Sequence, residues 1–347
     1  MRIARHIVEL DPYVHGEQPQ GKDVVKLNTN ENAYPPSPKC RKALKDFDVA
    51  DLRRYPQAEC VPLRKAIAKS LHTKIENIFV GNGSDEILSL CAKCFVEDDE
   101  AIASLDPSYS LYKTLAAIRN VPWLGFDRLE DSFSAKRKLA LFLLANPNAP
   151  TGTFTSLKRI AAFAKKFRGV VLVDEAYVDF SKTNAMKLAL SPKNDNLIVM
   201  RTFSKSYSLA GLRVGYCVGP KTLIDALYKI KDSYNVDAIA QAVALAAFED
   251  RAWMEKNARK IVKSRAWLAK ELAKRGWKVL PSEANFVFAK PPRNNAKELF
   301  DALHKREIYL RHFASSPKTR DYLRITVGTD DQLKKLLKAL DELDLRQ

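Results

Sequence analysis

The chain reads as an α/β protein, a mostly parallel sheet covered by helices on both faces, with a smaller α+β part made from its two ends. Three observations predict this. From about residue 75, short runs that are apolar at every position alternate with helical patterns. Strands of that kind belong to a parallel sheet buried on both faces. Polar clusters follow these runs, at the carboxyl ends where such sheets bind their ligands. The C-terminal third then changes to long helical sequence followed by strand–helix–strand, the pattern of an α+β layer.

In order along the chain, residues 1–40 are rich in Pro and Asn and predict irregular chain lying against the smaller part. Residues 78–80 form a strand that ends in Gly81-Asn82-Gly83-Ser84-Asp85 and opens a helix. Residues 101–105 lead to Asp106-Pro107-Ser108-Tyr109, and residues 139–145 lead to a Pro-rich turn ending at Gly152. A helix over 156–167 precedes the strand 170–173, which ends at Asp174 and Tyr177. The strand 197–200 runs into a hydroxyl-rich segment, 202–213, and the strand 214–218 follows. Helical sequence fills 238–276, then a strand at 284–289, a helix at 296–306 and a strand at 322–327. The expected division is a large domain, 41–259, and a small one from 1–40 and 260–347.

Composition narrows the function. The 347 residues are 46% hydrophobic and 29% charged, ordinary for a globular protein. No apolar run approaches the about 18 residues of a membrane span. The N-terminus has no signal-peptide apolar region, so a cytoplasmic location is expected. The five cysteines fit reduced thiols better than a disulfide framework. Cys91 and Cys94 form a CxxC inside a helical pattern with no second pair, which reads as core rather than a metal site. The net charge of +17 points to anionic partners. The basic residues are spread along the chain without an aromatic-interleaved tract, so a basic nucleic-acid-binding protein is the remote alternative, with salt-dependent affinity and no chromophore. Neither GxGxxG nor GxxxxGK[ST] occurs, and residues 215–222 are only a near-miss to the latter.

The chemistry centres on Lys205. It sits just past a strand, among Thr202, Ser204, Ser206 and Ser208, with Arg213 eight positions on. A lysine amine can form a Schiff base with an aldehyde cofactor, and hydroxyls with a guanidinium can hold a phosphate. At its ordinary pKa only about 0.04% of a lysine is neutral at pH 7, so a nucleophilic Lys205 needs burial or cationic neighbours. The turn 81–85 opens a helix whose N-terminal N–H groups favour an anion; an ordinary strand–helix turn with a polar cap is the competing reading. Asp174, ending a buried strand, can pair with a protonated pyridine nitrogen and keep that ring an electron sink. Tyr177 can donate to the ring's phenolic oxygen. A metal pair or a helix cap is the alternative for the Asp174-Glu175 pair.

With these motifs in hand, the chain resembles fold-type I enzymes of pyridoxal 5′-phosphate, and among them the histidinol-phosphate aminotransferase family. The motifs occur in family order: residues 28–32, Arg54-Tyr55-Pro56, 81–86, 106–109, 146–152, 174–177, Ser204-Lys205, Arg213 and Leu323-Arg324. The resemblance implies that Lys205 is the Schiff-base lysine, Asp174 the pyridinium partner and Tyr177 the donor to the ring oxygen. It makes Gly83, Ser84, Asp85, Ser204 and Arg213 the phosphate-holding set and Tyr109 the aromatic residue stacked on the ring. Tyr55 matches a tyrosine that reaches the cofactor phosphate of the other subunit, which implies a homodimer with shared sites. Arg324 matches the arginine that binds the substrate's anionic end, and Tyr13 and Arg311 look like further contacts to a substrate phosphate. One departure stands out. Ala149 occupies the position before Pro-Thr-Gly where the family commonly has an asparagine on the ring oxygen, so either Asn148 takes over or Tyr177 acts alone.

The expected reaction exchanges an amino group between L-histidinol phosphate and imidazole-acetol phosphate, with 2-oxoglutarate and glutamate as the other pair. Threonine-phosphate decarboxylase and aromatic aminotransferase are the alternatives of the same fold.

Overall fold

The computed structural model describes residues 2–11, 15–21, 23–293 and 296–344. The strand β1 (Val25–Lys26) comes first, followed by the seven strands of the central sheet. These are β2 (Ile78–Gly81), β3 (Ala101–Leu105), β4 (Trp123–Phe126), β5 (Leu139–Ala145), β6 (Val170–Asp174), β7 (Leu197–Thr202) and β8 (Gly215–Val218). Their spatial order is β2-β8-β7-β6-β5-β3-β4. The neighbours from β7 to β4 pair in parallel, while β8 is antiparallel to both β7 and β2. The reversal has a simple cause. A parallel return usually needs a helix to carry the chain back across the sheet. The chain goes from β7 to β8 through a short segment holding only a turn of 3-10 helix, Ala210–Leu212.

Both faces of the sheet are buried, which explains why its strands are apolar without alternation. Phe142, Leu144, Val171, Val173 and Val199 face one core. Leu141, Leu143, Leu172, Ile198 and Met200, the intervening residues, face the other. Each fully buried side chain of this size contributes about 1.5–3 kcal/mol relative to exposure. Helices such as Gly83–Phe95, which carries Cys91 and Cys94, cover one face. Cys91 is buried in that core, and all five cysteines are free thiols. Among the described residues there is no metal-ligating cluster and no helix long and apolar enough to cross a membrane.

The second sheet comes from the end of the chain: β9 (Lys278–Val279), β10 (Phe286–Lys290), β11 (Ile308–Tyr309), β12 (Arg311–His312) and β13 (Leu323–Thr326). Four of these form an antiparallel sheet in the order β12-β13-β10-β9, and β11 pairs in parallel with β1. The helical region 238–276 consists of two helices, Ala238–Phe248 and Arg251–Lys274. The N-terminal segment is stitched to this layer: Leu27 N donates to Tyr309 O (2.8 Å), and Thr326 N donates to Leu27 O (3.0 Å).

Candidate active site

Strand register assembles the site. Asp174 ends β6 opposite Ala145 of β5 and Met200 of β7. Gly81 and Thr202 both pair with Gly215, so the turn opening the helix Gly83–Phe95 and the segment leading to Lys205 reach the same end of the sheet. A Cβ on Gly215 would stand 2.8 Å from Ser84 N and 2.9 Å from Gly83 C, so only a bare backbone lets these segments meet. A cavity of about 470 Å³ opens at this edge. Ser84, Asp85, Tyr109, Asp174, Tyr177 and Ser204 line it, together with Lys205, Arg213, Arg311 and Arg324.

Lys205 Nζ donates to Thr29 O (3.2 Å) and lies 5.8 Å from the Tyr177 ring centroid. The backbone carrying it is fixed from several sides. Asn32 Nδ2 donates to the carbonyls of Lys205 (3.1 Å) and Ser206 (3.0 Å). Ser206 Oγ donates to Asp179 Oδ2. Asp179 Oδ1 lies 3.7 Å from Arg201 Nη1, and Arg201 also binds the buried Glu175 through Nη2 and Nε, both at 2.9 Å from Oε2. Lys205 thus stands on a loop held by a buried charge network.

Asp174 is buried, and its carboxylate accepts from Tyr112 Oη (2.8 Å) at Oδ2 and from Ala176 N (3.0 Å) at Oδ1. Burial pushes its pKa up to about 6, against the lowering by those two donors and with help from Asp85 and Glu175. A carboxylate in that position gains from facing a cation. Tyr177 OH, at the same wall, accepts from Asn30 Nδ2 (3.0 Å), and Asn30 Oδ1 accepts from Thr326 Oγ1 (3.0 Å).

The opposite part of the cavity gathers Ser84, Asp85, Ser204 and Arg213. Arg213, itself at φ +56°, points Nη1 at Ser204 Oγ (3.3 Å) and Nη2 at Asp85 Oδ2 (3.3 Å). Gly83 lies directly beneath it, at φ +78°. A Cβ there would stand 2.6 Å from Arg213 Nη2 and push that guanidinium aside, and the positive φ itself favours glycine. The helix Gly83–Phe95 begins here, and the N–H groups of a helix N-terminus favour an anion.

The second sheet supplies two more arginines. Arg311 and Arg324 are direct partners across β12 and β13. Side chains directly opposite share a face, and like charges so placed repel. Arg311 Nη1 donates to His15 O (3.2 Å) and Arg324 Nη2 to Asn28 O (2.8 Å). Phe313 lies against both guanidinium groups, 5.5 Å from Arg311 Cζ and 5.3 Å from Arg324 Cζ.

Other candidates fall elsewhere. The amide of Asn148 ties its loop to the one after β3: Nδ2 donates to Pro107 O (3.0 Å) and to Thr151 Oγ1 (2.8 Å), and Oδ1 accepts from Ser108 Oγ (2.7 Å). Both of its donors are thus engaged; Ala149, which does line the cavity, contributes no side-chain polar group. Tyr55 is 80% exposed and stacked on Tyr234, outside the cavity of its own chain. Tyr13 lies outside the described residues. Sequence reasoning missed Tyr112, Asn30 and Arg201. Tyr112 is 62 positions from Asp174, and Asn30 is 147 from Tyr177, so neither carried a local signal beyond an aromatic in an amphipathic helix and a polar N-terminal run.

The aminotransferase class I and II family matches residues 22–340. Histidinol-phosphate aminotransferase 2 of Rhizobium meliloti (strain 1021) is 44% identical over 350 residues, covering 97% of each chain. Histidinol-phosphate aminotransferase of Acinetobacter baylyi (strain ATCC 33305 / BD413 / ADP1) is 45% identical, covering 96% of this chain and 94% of its own. The crystal structure of histidinol-phosphate aminotransferase from Sinorhizobium meliloti in complex with pyridoxal-5′-phosphate superposes with a TM-score of 0.90 at 26% identity, covering 98% of this chain and 97% of that one. A fold built around Lys205 and Asp174 and full-length relatives above 40% identity lead to one assignment: the chain belongs to the class I and II aminotransferases, in the histidinol-phosphate aminotransferase family.

Proposed function

We propose that the chain transfers the amino group of L-histidinol phosphate to 2-oxoglutarate, giving imidazole-acetol phosphate and glutamate, with pyridoxal 5′-phosphate as its cofactor. The observation that carries this reading is one cavity with Lys205 and Asp174 on one wall and the paired Arg311 and Arg324 on another. The residues present fit the cofactor. The cradle above Gly83 has the space and donors for a phosphate ester, a buried carboxylate suits a pyridinium, and an amine lies on the same cavity.

When bound, the cofactor supplies an electron sink for the carbanion that transamination requires. The chain does the rest. Ser84, Ser204 and Arg213 hold the phosphate, with Gly83 leaving room for Arg213 and Asp85 buttressing it. Tyr109 and Tyr177 line the cavity and would cover the ring and donate to its oxygen, respectively. Asp174 holds a proton at the ring nitrogen. Lys205 would hold the aldehyde, and its Nζ, once free, would be placed to move a proton at the substrate Cα. Arg311 and Arg324 bind the phosphate of one substrate and the distal carboxylate of the other; two such groups sharing one pocket is what a fork of guanidinium donors accommodates.

The same reading makes the protein a homodimer of the cytoplasm, with 41–259 as the large domain and 1–40 plus 260–347 as the small one. Tyr55 belongs to it. A tyrosine this exposed, beside the exposed Val49 and Leu52 of the preceding turn, is available to reach a second subunit's cradle.

The test is turnover of histidinol phosphate against threonine phosphate by the cofactor-loaded protein. Amino transfer to 2-oxoglutarate from histidinol phosphate, without decarboxylation of threonine phosphate, is expected. The reverse preference overturns the substrate assignment. Lys205→Ala is expected to lose both turnover and the visible absorbance of the loaded protein, and a variant that keeps both overturns the role of Lys205.

A further inference from the structure

We propose that Tyr112 is a positioning residue that keeps the shared proton on the cofactor's ring nitrogen, because its hydroxyl holds Asp174 as the weaker base of the pair. The proposal rests on the cofactor reading above.

Tyr112 lies in the first turn of the helix Leu111–Arg119 and is completely buried. Its ring packs edge-on against Tyr109, with centroids 5.6 Å apart, and a phenylalanine would pack there as well. Its hydroxyl donates to Asp174 Oδ2 at 2.8 Å. A buried hydroxyl is costly unless bonded, so the placement is specific to that carboxylate. Burial and Asp174 together push the Tyr112 pKa well above its ordinary value. The group therefore stays a neutral donor across the working range.

Other charged and titratable groups stand around Asp174, Lys205 on the same cavity among them. Asp85 and Glu175 raise its pKa. Each has a cationic partner of its own, Arg213 and Arg201 respectively. Tyr109 and Tyr177 are phenols facing Tyr112. Against burial, the two donors Tyr112 and Ala176 N are what hold the carboxylate in its charged form.

One proton is shared between two sites, and the net charge is the same in either arrangement. With the Tyr112 hydroxyl in place, Asp174 stays ionised and the nitrogen keeps the proton. Without it, the carboxylate is more basic, takes the proton itself and leaves a neutral ring. A neutral ring is a poorer electron sink.

Tyr112→Phe removes one oxygen and keeps the packing. In cofactor-free protein carrying carboxyl-labelled aspartate, the Asp174 titration read by carbon NMR is expected to move upward by roughly one to two units, a tenfold or larger change in its acid constant. In loaded protein with nitrogen-labelled cofactor, the ring nitrogen is expected to lose its proton within a pH range where the wild type keeps it. Turnover should fall with it. In an Asp174→Asn background, Tyr112→Phe is expected to have little further effect, because its action passes through that carboxylate. An unmoved Asp174 titration, or an equal loss of turnover in both backgrounds, overturns the proposal while leaving the cofactor reading intact. A wild-type chain that takes up no pyridoxal phosphate overturns that reading and this proposal together.

Discussion

Replacing Arg201 with methionine tests the charge network behind Lys205. The Glu175 side chain has no exposed surface, and both Arg201 contacts to it are 2.9 Å. Its other oxygen accepts from Ala185 N. Removing one partner of such a pair costs about 3–5 kcal/mol, because the remaining charge stays buried. At about 2.1 cal/mol/K per residue, unfolding this chain releases about 0.7 kcal/mol/K. The Tm should therefore fall by about 4–7 °C at pH 8. Burial raises the Glu175 pKa and Arg201 lowers it, so the variant's carboxyl is raised further. A group raised in the folded state destabilises only when ionised. That penalty is absent below the unfolded value of about 4.3 and grows as pH rises toward the folded one. The deficit should thus shrink between pH 8 and pH 5, and Glu175→Gln combined with Arg201→Met should recover part of it. Calorimetry at the two pH values is the assay. A Tm within about 1 °C of wild type, or an equal deficit at both pH values, would refute the reasoning.

Three further outcomes are expected. Gly83→Ala sets a Cβ against Arg213 and strains a backbone at φ +78°, so cofactor affinity by absorbance titration should weaken at least about tenfold; unchanged affinity contradicts the cradle. Asn30→Ala takes away the donor to Tyr177 OH and should lower kcat by about tenfold, the equivalent of one hydrogen bond; an unchanged kcat would mean that Tyr177 needs no support. Arg324→Ala should raise KM for both histidinol phosphate and 2-oxoglutarate by about 10–100-fold. An effect on only one substrate would argue against a shared anion pocket.

Much of this was legible in the sequence, for physical reasons. The strands β5, β6 and β7 had to be apolar at every position to lie between two cores, and that pattern survives in one dimension. Their polar ends marked where ligand chemistry belongs. The two-residue strands β1, β9, β11 and β12 are too short to carry a period, and β4 is a half-buried edge strand interrupted by Gly125. The antiparallel course of β8 depended on the absence of a crossover helix rather than on its own residues. The choice between Asn148 and Tyr177 was not legible, because proximity in sequence does not say where an amide's donors are spent. Tyr112 reads as core on its helix, and only the folded chain brings its hydroxyl to Asp174.

The most direct measurement is borohydride reduction of the protein loaded with pyridoxal phosphate, followed by peptide mass mapping. The account predicts one pyridoxyl group per chain, on the peptide containing Lys205. Label on a different lysine, or no label at all, would contradict it.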